Sequence, residues 1–250
     1  MNEKWLTLKK WIDESQRIVF FGGAGVSTES GVPDFRSKDG LYNQHDVRFD
    51  QYQPEYLLSH SCLVDEPKVF YEFYRQKMDA RKAEPNAAHR YLARLEDEGK
   101  LIGIVTQNID GLHQRAGSRK VFEIHGSTQR NFCMRCHKRY PENAIYDSKE
   151  AIPHCDCGGI IRPEVTLYEE SLPEDAVMKS IDAIRAADML IIGGTSLTVY
   201  PAASYVHYFR GKHLVIINKA RLYYRLDPDN DLEINDPIGE VFEAISQDLV

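Results

Sequence analysis

The chain has 250 residues, 42% of them hydrophobic and 28% charged, with a formal net charge of −7. That length suits one sizeable α/β domain plus a smaller module, and the composition excludes wholesale disorder. The acidic balance argues against a sequence-independent grip on nucleic acid, and no apolar run is long enough to cross a bilayer. The opening MNEKWLTLKKW carries no signal-peptide core, so a soluble cytoplasmic protein with neither nucleic acid nor membrane as partner is expected.

Trp5, Leu8, Trp11 and Ile12 recur at helical spacing and predict a helix over 3–16. Arg17-Ile-Val-Phe-Phe21 reads as a short buried strand, broken sharply by Gly22-Gly-Ala-Gly25. The stretch 54–81, with Tyr56, Leu57, Val69, Phe70, Phe73 and Tyr74, reads as helical; Pro85 punctuates, and 86–98 reads as a helix ended by Gly99. Leu101-Ile-Gly-Ile-Val105 is a second buried strand, followed by the polar loop 106–113. Val121-Phe-Glu-Ile124 is a third, running into His125-Gly126. A helix at about 174–187 leads to the strand Met189-Leu-Ile-Ile192 and a second glycine break at Gly193-Gly194. A helix near 201–210, the strand Leu214-Val-Ile-Ile217 ending at Asn218, Leu232-Glu-Ile234 and a helix over 238–247 complete the chain.

Short, continuously apolar strands alternating with helices predict an α/β fold with a Rossmann-like doubly wound parallel sheet. The stretches 37–85 and 127–160 break the alternation and are read as a helical and a cysteine-bearing insertion that together build a smaller domain. The larger domain is then 1–36, 86–126 and 161–250.

The turn Gly22-Gly-Ala-Gly25 after a strand has the position of a dinucleotide loop, where absent side chains and the next helix's N-terminus favour a diphosphate. The usual third glycine would fall at Thr28, and no acid-ended strand follows about 20 residues on, as hydride-transferring enzymes have. Cys133-Met-Arg-Cys136 and Cys155-Asp-Cys157, eighteen residues apart and followed by Gly158-Gly159, supply four thiolates for one tetrahedral zinc. Four thiolates leave no open position, so this zinc is expected to be structural. Cys62 stands apart and reads as a buried apolar side chain. Gln107-Asn-Ile-Asp110 and His125-Gly126 each follow a strand, so they can converge with the glycine loop at one crevice, where an imidazole can act as general base.

Gly23-Ala-Gly-Val-Ser27, Gly31-Val-Pro-Asp-Phe-Arg36, Thr106-Gln-Asn-Ile-Asp110, His125-Gly126, the paired cysteines, Gly194-Thr-Ser196 and Ile217-Asn218 resemble the sirtuins in order and spacing. The resemblance runs through nearly the whole chain, and the short form looks like a bacterial member. It implies an NAD-dependent protein-lysine deacetylase, with NAD and acyl-lysine proteins or peptides meeting between a Rossmann domain and a zinc-and-helical domain. Carried over, Ala24, Thr28 and Arg36 would hold the diphosphate, and Phe35 would cover the nicotinamide pocket. Gln107 would meet a ribose, Ile109 and Asp110 the carboxamide, and Thr195, Ser196, Asn218 and Ile238 the adenosine end. His125 would be the general base and also meet NAD, with Asn108 orienting water or ribose. NAD is implied as a consumed co-substrate, the products being lysine, nicotinamide and O-acetyl-ADP-ribose.

The resemblance also implies an extended peptide between 164–168 and 197–199, touching Val165, Leu167 and Val199. There Tyr168-Glu169-Glu170 replaces the family's usual Phe-Gly-Glu. Sirtuins that favour acidic acyl chains use a Tyr-x-x-Arg pair. Here Tyr42 is followed at that spacing by His45, so acetyl and other small neutral acyl groups are expected over succinyl or malonyl, with Arg48 nearby as the cation a shifted loop would bring round. Removal of other acyl groups, or a mono-ADP-ribosyl transfer side activity, stays open. From the residues themselves the rival readings are a dehydrogenase and a catalytically silent NAD- or peptide-binding module.

Overall fold

A computed structural model describes residues 2–38, 40–222 and 224–246; Gln247, the last residue of the expected terminal helix, lies outside them. The strands are β1 (Ile18–Gly22), β2 (Leu101–Thr106), β3 (Val121–Glu123), β4 (Gly126–Cys133), β5 (Arg139–Pro141), β6 (Ile161–Val165), β7 (Met189–Gly193), β8 (His213–Ile217) and β9 (Asp231–Ile234). The α-helices are α1 (Glu3–Glu14), α2 (His60–Asp65), α3 (Pro67–Lys77), α4 (Ala87–Asp97), α5 (Leu112–Arg115), α6 (Asn143–Tyr146), α7 (Glu174–Ala186) and α8 (Ile238–Ser246).

Among the described residues, six strands form one parallel sheet in the order β3-β2-β1-β7-β8-β9. Alternate side chains of a strand point to opposite faces, and the core divides accordingly. Ile18, Phe20, Ile191, Val215 and Ile217 pack against α1, α4 and α8, while Val19, Phe21, Leu190, Ile192 and Ile216 pack against α7 and the 202–208 turn. Both faces are covered, which is why these strands read as unbroken apolar runs.

A third core joins both insertions: Leu57, Cys62, Phe70, Tyr71 and Tyr74 pack with Cys133, Ile145, Ile161 and Val165. Beside it β5-β4-β6 form an antiparallel sheet. Ile161–Val165 therefore hydrogen-bonds with β4, although the sequence reading groups residue 161 onward with the parallel sheet.

Three local expectations differ from the structure. The glycine loop enters two 3₁₀ turns, Ala24–Val26 and Thr28–Ser30, and not a long helix. Gly31, at φ +80, ends the second turn and Pro33 blocks its extension. The 54–81 helix is split, because Pro67 has no N–H with which to continue α2 and instead opens α3. Residues 202–208 form a 3₁₀ helix in place of an α-helix.

Candidate active site

The strand order reverses between β1 and β7, where ligands of open parallel sheets gather beyond the strand carboxyl ends. Gly22 and Gly193 end these strands in register. The Gly25 amide donates to the Gly194 carbonyl at 2.8 Å and the Gly23 amide to the Gly193 carbonyl at 3.1 Å. Two glycine turns thus lie backbone on backbone at the switch point, with Ala24 between them and Thr28 Oγ1 donating to the Gly25 carbonyl at 3.0 Å. That cradle fits a diphosphate, which needs close backbone approach more than side chains.

From the end of β2, the Gln107 amide donates to the Gly22 carbonyl at 3.0 Å, and Nε2 donates to Thr195 Oγ1 at 3.1 Å. Asn108 Nδ2 donates to Ser27 Oγ at 3.0 Å, and Ser27 Oγ donates to Asp110 Oδ2 at 2.7 Å. Burial pushes the Asp110 carboxyl up, against the Leu112 amide and the Ser27 hydroxyl, which favour its anion. Ser27 is the hub here; it belongs to a quoted motif, but nothing local in sequence signals its partners.

His125 sits half-buried between β3 and β4, with Nδ1 2.9 Å from the Gln107 carbonyl. A carbonyl only accepts, so Nδ1 carries the proton and Nε2 keeps its lone pair. Burial lowers the imidazole pKa, opposed by the hydrogen bond to Gln107. The His125 carbonyl accepts from the Thr166 amide at 2.8 Å. Gly126 holds φ +76 where any Cβ would overlap the Glu164 carbonyl oxygen, so a side chain there would push β6 off β4. The Ile109 carbonyl takes both the amide and the hydroxyl of Thr128, tying the Gln107–Asp110 loop to β4.

Phe35 packs edge-on to Tyr42, and the Arg36 guanidinium lies 5.6 Å from the Tyr42 ring and donates to Tyr168 Oη. Ser196 Oγ and Thr198 Oγ1 share a hydrogen bond at 2.7 Å, and the Val199 carbonyl caps the following turn. Asn218 Nδ2 is turned to the Ala220 carbonyl. Ile238 opens α8 as a member of the core, and Val165 and Leu167 are buried in the small unit's core, so their side chains offer little surface to a ligand.

The four Sγ atoms of Cys133, Cys136, Cys155 and Cys157 lie within 4.8 Å of one another. Cys133–Cys157 and Cys136–Cys155 approach to 3.5 and 3.6 Å, near the ~3.8 Å that Zn–S bonds of ~2.3 Å set across a tetrahedron. The set fits a closed zinc site that serves structure. Cys62 is buried, and burial pushes its thiol up to about 12, as an inert core side chain requires.

A family model described as the Sir2 family matches residues 23–201. An NAD-dependent protein deacetylase of Clostridium acetobutylicum is 53% identical over 239 residues, covering 95% of this chain and 96% of that protein. A solved Sir2 with p53 peptide and NAD+ superposes with a TM-score of 0.82 at 35% identity, covering 99% of this chain and 98% of that one. Another, holding a deacetylated p53 peptide and 3′-O-acetyl ADP ribose, gives 0.87 at 33% identity over 98% of each chain. Glycine cradle, histidine, four-thiolate cluster and these matches agree: the chain belongs to the Sir2 family, the sirtuins.

Proposed function

We propose that this protein removes acetyl groups from lysine side chains of other proteins, consuming one NAD and one water and releasing nicotinamide, O-acetyl-ADP-ribose and free lysine. The observation that carries it is His125: its Nδ1 is committed to the carbonyl of Gln107, in the loop that reaches the glycine cradle, which leaves Nε2 as the base. NAD supplies, when bound, a ribose carbon that exchanges nicotinamide for the acyl oxygen. His125 takes a proton through the ribose hydroxyls, and Asn108, held by Ser27, orients ribose or water. Ala24, Thr28 and Arg36 serve the diphosphate, Phe35 shields the pocket, and Gln107, Ile109 and Asp110 serve ribose and carboxamide. Thr195, Ser196 and Asn218 serve the adenosine end beside the start of α8 at Ile238, and Val199 with the backbone at Val165 and Leu167 serves the peptide. The zinc module and helical insertion form the smaller of two domains that flank the cleft.

Among the described residues no helix is long and apolar enough to cross a membrane. Four of the five cysteines converge as metal ligands, a usage typical of reducing compartments, and the cytoplasm is the proposed setting. Incubation with an acetyl-lysine peptide should release nicotinamide and deacetylated peptide in equal amounts, only with NAD and with no change at 340 nm. Hydride-linked absorbance, or acetate release without NAD, would refute the reading.

Acetyl is preferred to succinyl. His45 is exposed and turned toward Asp50, while the Arg48 guanidinium is engaged by Asp46, Glu72 and Gln76. Arg36 belongs to the diphosphate side. A succinyl carboxylate beside Tyr42 would have to compete with the NAD diphosphate for Arg36, whose guanidinium lies 5.6 Å from the Tyr42 ring, and losing that competition leaves it buried and unpaired at a cost on the order of several kcal/mol. On one peptide, kcat/KM for acetyl should exceed that for succinyl by about tenfold or more; equal values would refute this. A second reading is removal of longer apolar acyl chains: a cavity of about 490 Å³ at Tyr42 has Leu41, Phe49, Leu57 and Phe73 in its wall, though His45, Asp46, Asp50 and Lys77 line it too. The same assay with a longer unbranched acyl group decides it.

A further inference from the structure

Tyr168 closes the 164–168 segment and ties it both to the helical insertion and to Arg36. Its amide donates to the Leu58 carbonyl at 3.0 Å, and its carbonyl accepts from the His60 amide at 3.1 Å. The next two residues bolt the same turn to the small unit. Glu169, at φ +75, accepts from the Ser61 amide at 2.9 Å and from Ser61 Oγ at 2.7 Å. Glu170 receives both ends of the Arg162 guanidinium, at 2.6 and 3.0 Å. The Tyr168 ring therefore projects from a fixed backbone.

From that anchor its hydroxyl accepts from Arg36 Nη2 at 2.9 Å and shares a hydrogen bond with Tyr42 Oη at 3.0 Å. Tyr42 in turn packs edge-on to Phe35, with ring centroids 5.5 Å apart. Arg36 is exposed, and among the described residues no carboxylate lies within ion-pair distance of it. Among the described residues its charge is thus unspent, while Tyr168 Oη, at 2.9 Å, and the Tyr42 ring, at 5.6 Å, set its direction. A long, exposed arginine otherwise loses rotamer freedom when it grips an anion, and a partner that orders it beforehand removes part of that loss.

Resting on the proposed function, we propose that Tyr168 is a positioning residue for NAD: its hydroxyl pre-orders Arg36 and Tyr42, and it acts through Arg36 without touching reacting atoms. Tyr168→Phe removes only the hydroxyl and keeps the ring, which makes it a mild substitution for the fold.

Calorimetric titration with ADP-ribose, which binds without reacting, tests the inference. Tyr168→Phe should weaken ADP-ribose about three- to tenfold, as loss of a screened hydrogen bond to a charged group does. It should raise KM for NAD by a like factor, with kcat at saturation within about twofold and the melting temperature unchanged. In an Arg36→Ala background the same substitution should change ADP-ribose affinity by less than about twofold, because the residue acts through Arg36. Equal or tighter ADP-ribose binding by Tyr168→Phe, or an undiminished loss in the Arg36→Ala background, would overturn the inference. A wild-type protein that binds ADP-ribose but deacetylates nothing refutes the proposed function instead, and the two affinities still decide the part played by Tyr168.

Discussion

The His125 ring sends Nδ1 to the Gln107 carbonyl at 2.9 Å, and the lone pair of Nε2 is what remains for chemistry. Burial lowers this imidazole's pKa, so the neutral, base-competent form persists to lower pH than in a free histidine. His125→Ala should cut deacetylation about 10²–10⁴-fold, while NAD affinity stays within about threefold because most assigned contacts lie elsewhere. Single-turnover kinetics beside an NAD titration measure both; near-wild-type turnover would mean another group is the base. At this scale the sequence exposes residues that sit at strand ends. Gln107, Asn108, Asp110 and His125 are polar where an apolar run stops, and that alone marks them. It hides Ser27 and Tyr168, whose partners Asp110 and Arg36 are 83 and 132 residues away along the chain. Only the closed fold makes those pairs neighbours.

The zinc knuckle and the sheet beside it depend on each other. Cys133 ends β4, and the Cys155–Gly159 turn leads directly into β6, so the cysteines pin both strands of the pair. Structural zinc of this kind contributes folding free energy outright. Metal analysis should find about one zinc per chain. Stripping it with a strong chelator should lower the melting temperature and abolish deacetylation, with antiparallel signal lost before the parallel sheet melts. A stable, fully active, metal-free sample would refute this. The parallel strands are legible in the sequence because both faces are buried and the apolar runs are unbroken. The antiparallel ones are not: β5 ends in Pro141 and β6 carries Pro163, and a proline demotes a run as a strand. Both are edge strands of their sheet, where a missing N–H is tolerated. The split between α2 and α3 is hidden for a different reason, since the apolar spacing on both sides of Pro67 continues one helical pattern.

For the whole molecule, a buried histidine pair should set the acid limit. His89 on α4 and His113 on α5 have ring centroids 4.7 Å apart, with His113 also against Phe20 of the sheet. Neither ring nitrogen of His113 has a partner among the described residues, nor has Nε2 of His89. Burial lowers the His89 pKa to about 4, with Arg90 adding to it, and pushes His113 well below its ordinary value, with His89 adding to it. The sign follows from proton binding: below about pH 6.5 the unfolded chain protonates these rings, while the fold keeps them neutral. The stability they confer is thus complete above pH 6.5 and is lost as pH falls toward 4. Each histidine contributes a slope of about 1.4 kcal/mol per pH unit in that window. The loss should reach the site, because Asn86, which caps α4 beside His89, donates to the Val26 carbonyl at 2.7 Å and Ser30 Oγ at 3.0 Å behind the glycine cradle. Denaturant unfolding from pH 7 to 4 should therefore show falling stability, with ADP-ribose binding lost at milder acidity than the sheet. His113→Phe keeps a ring of similar size and removes one titrating group with two unpartnered nitrogens. Its unfolding free energy should fall with pH less steeply, by about one proton's worth of slope, and it should gain on the wild type as the solution acidifies. Parallel curves for the two proteins would place the acid limit in other groups.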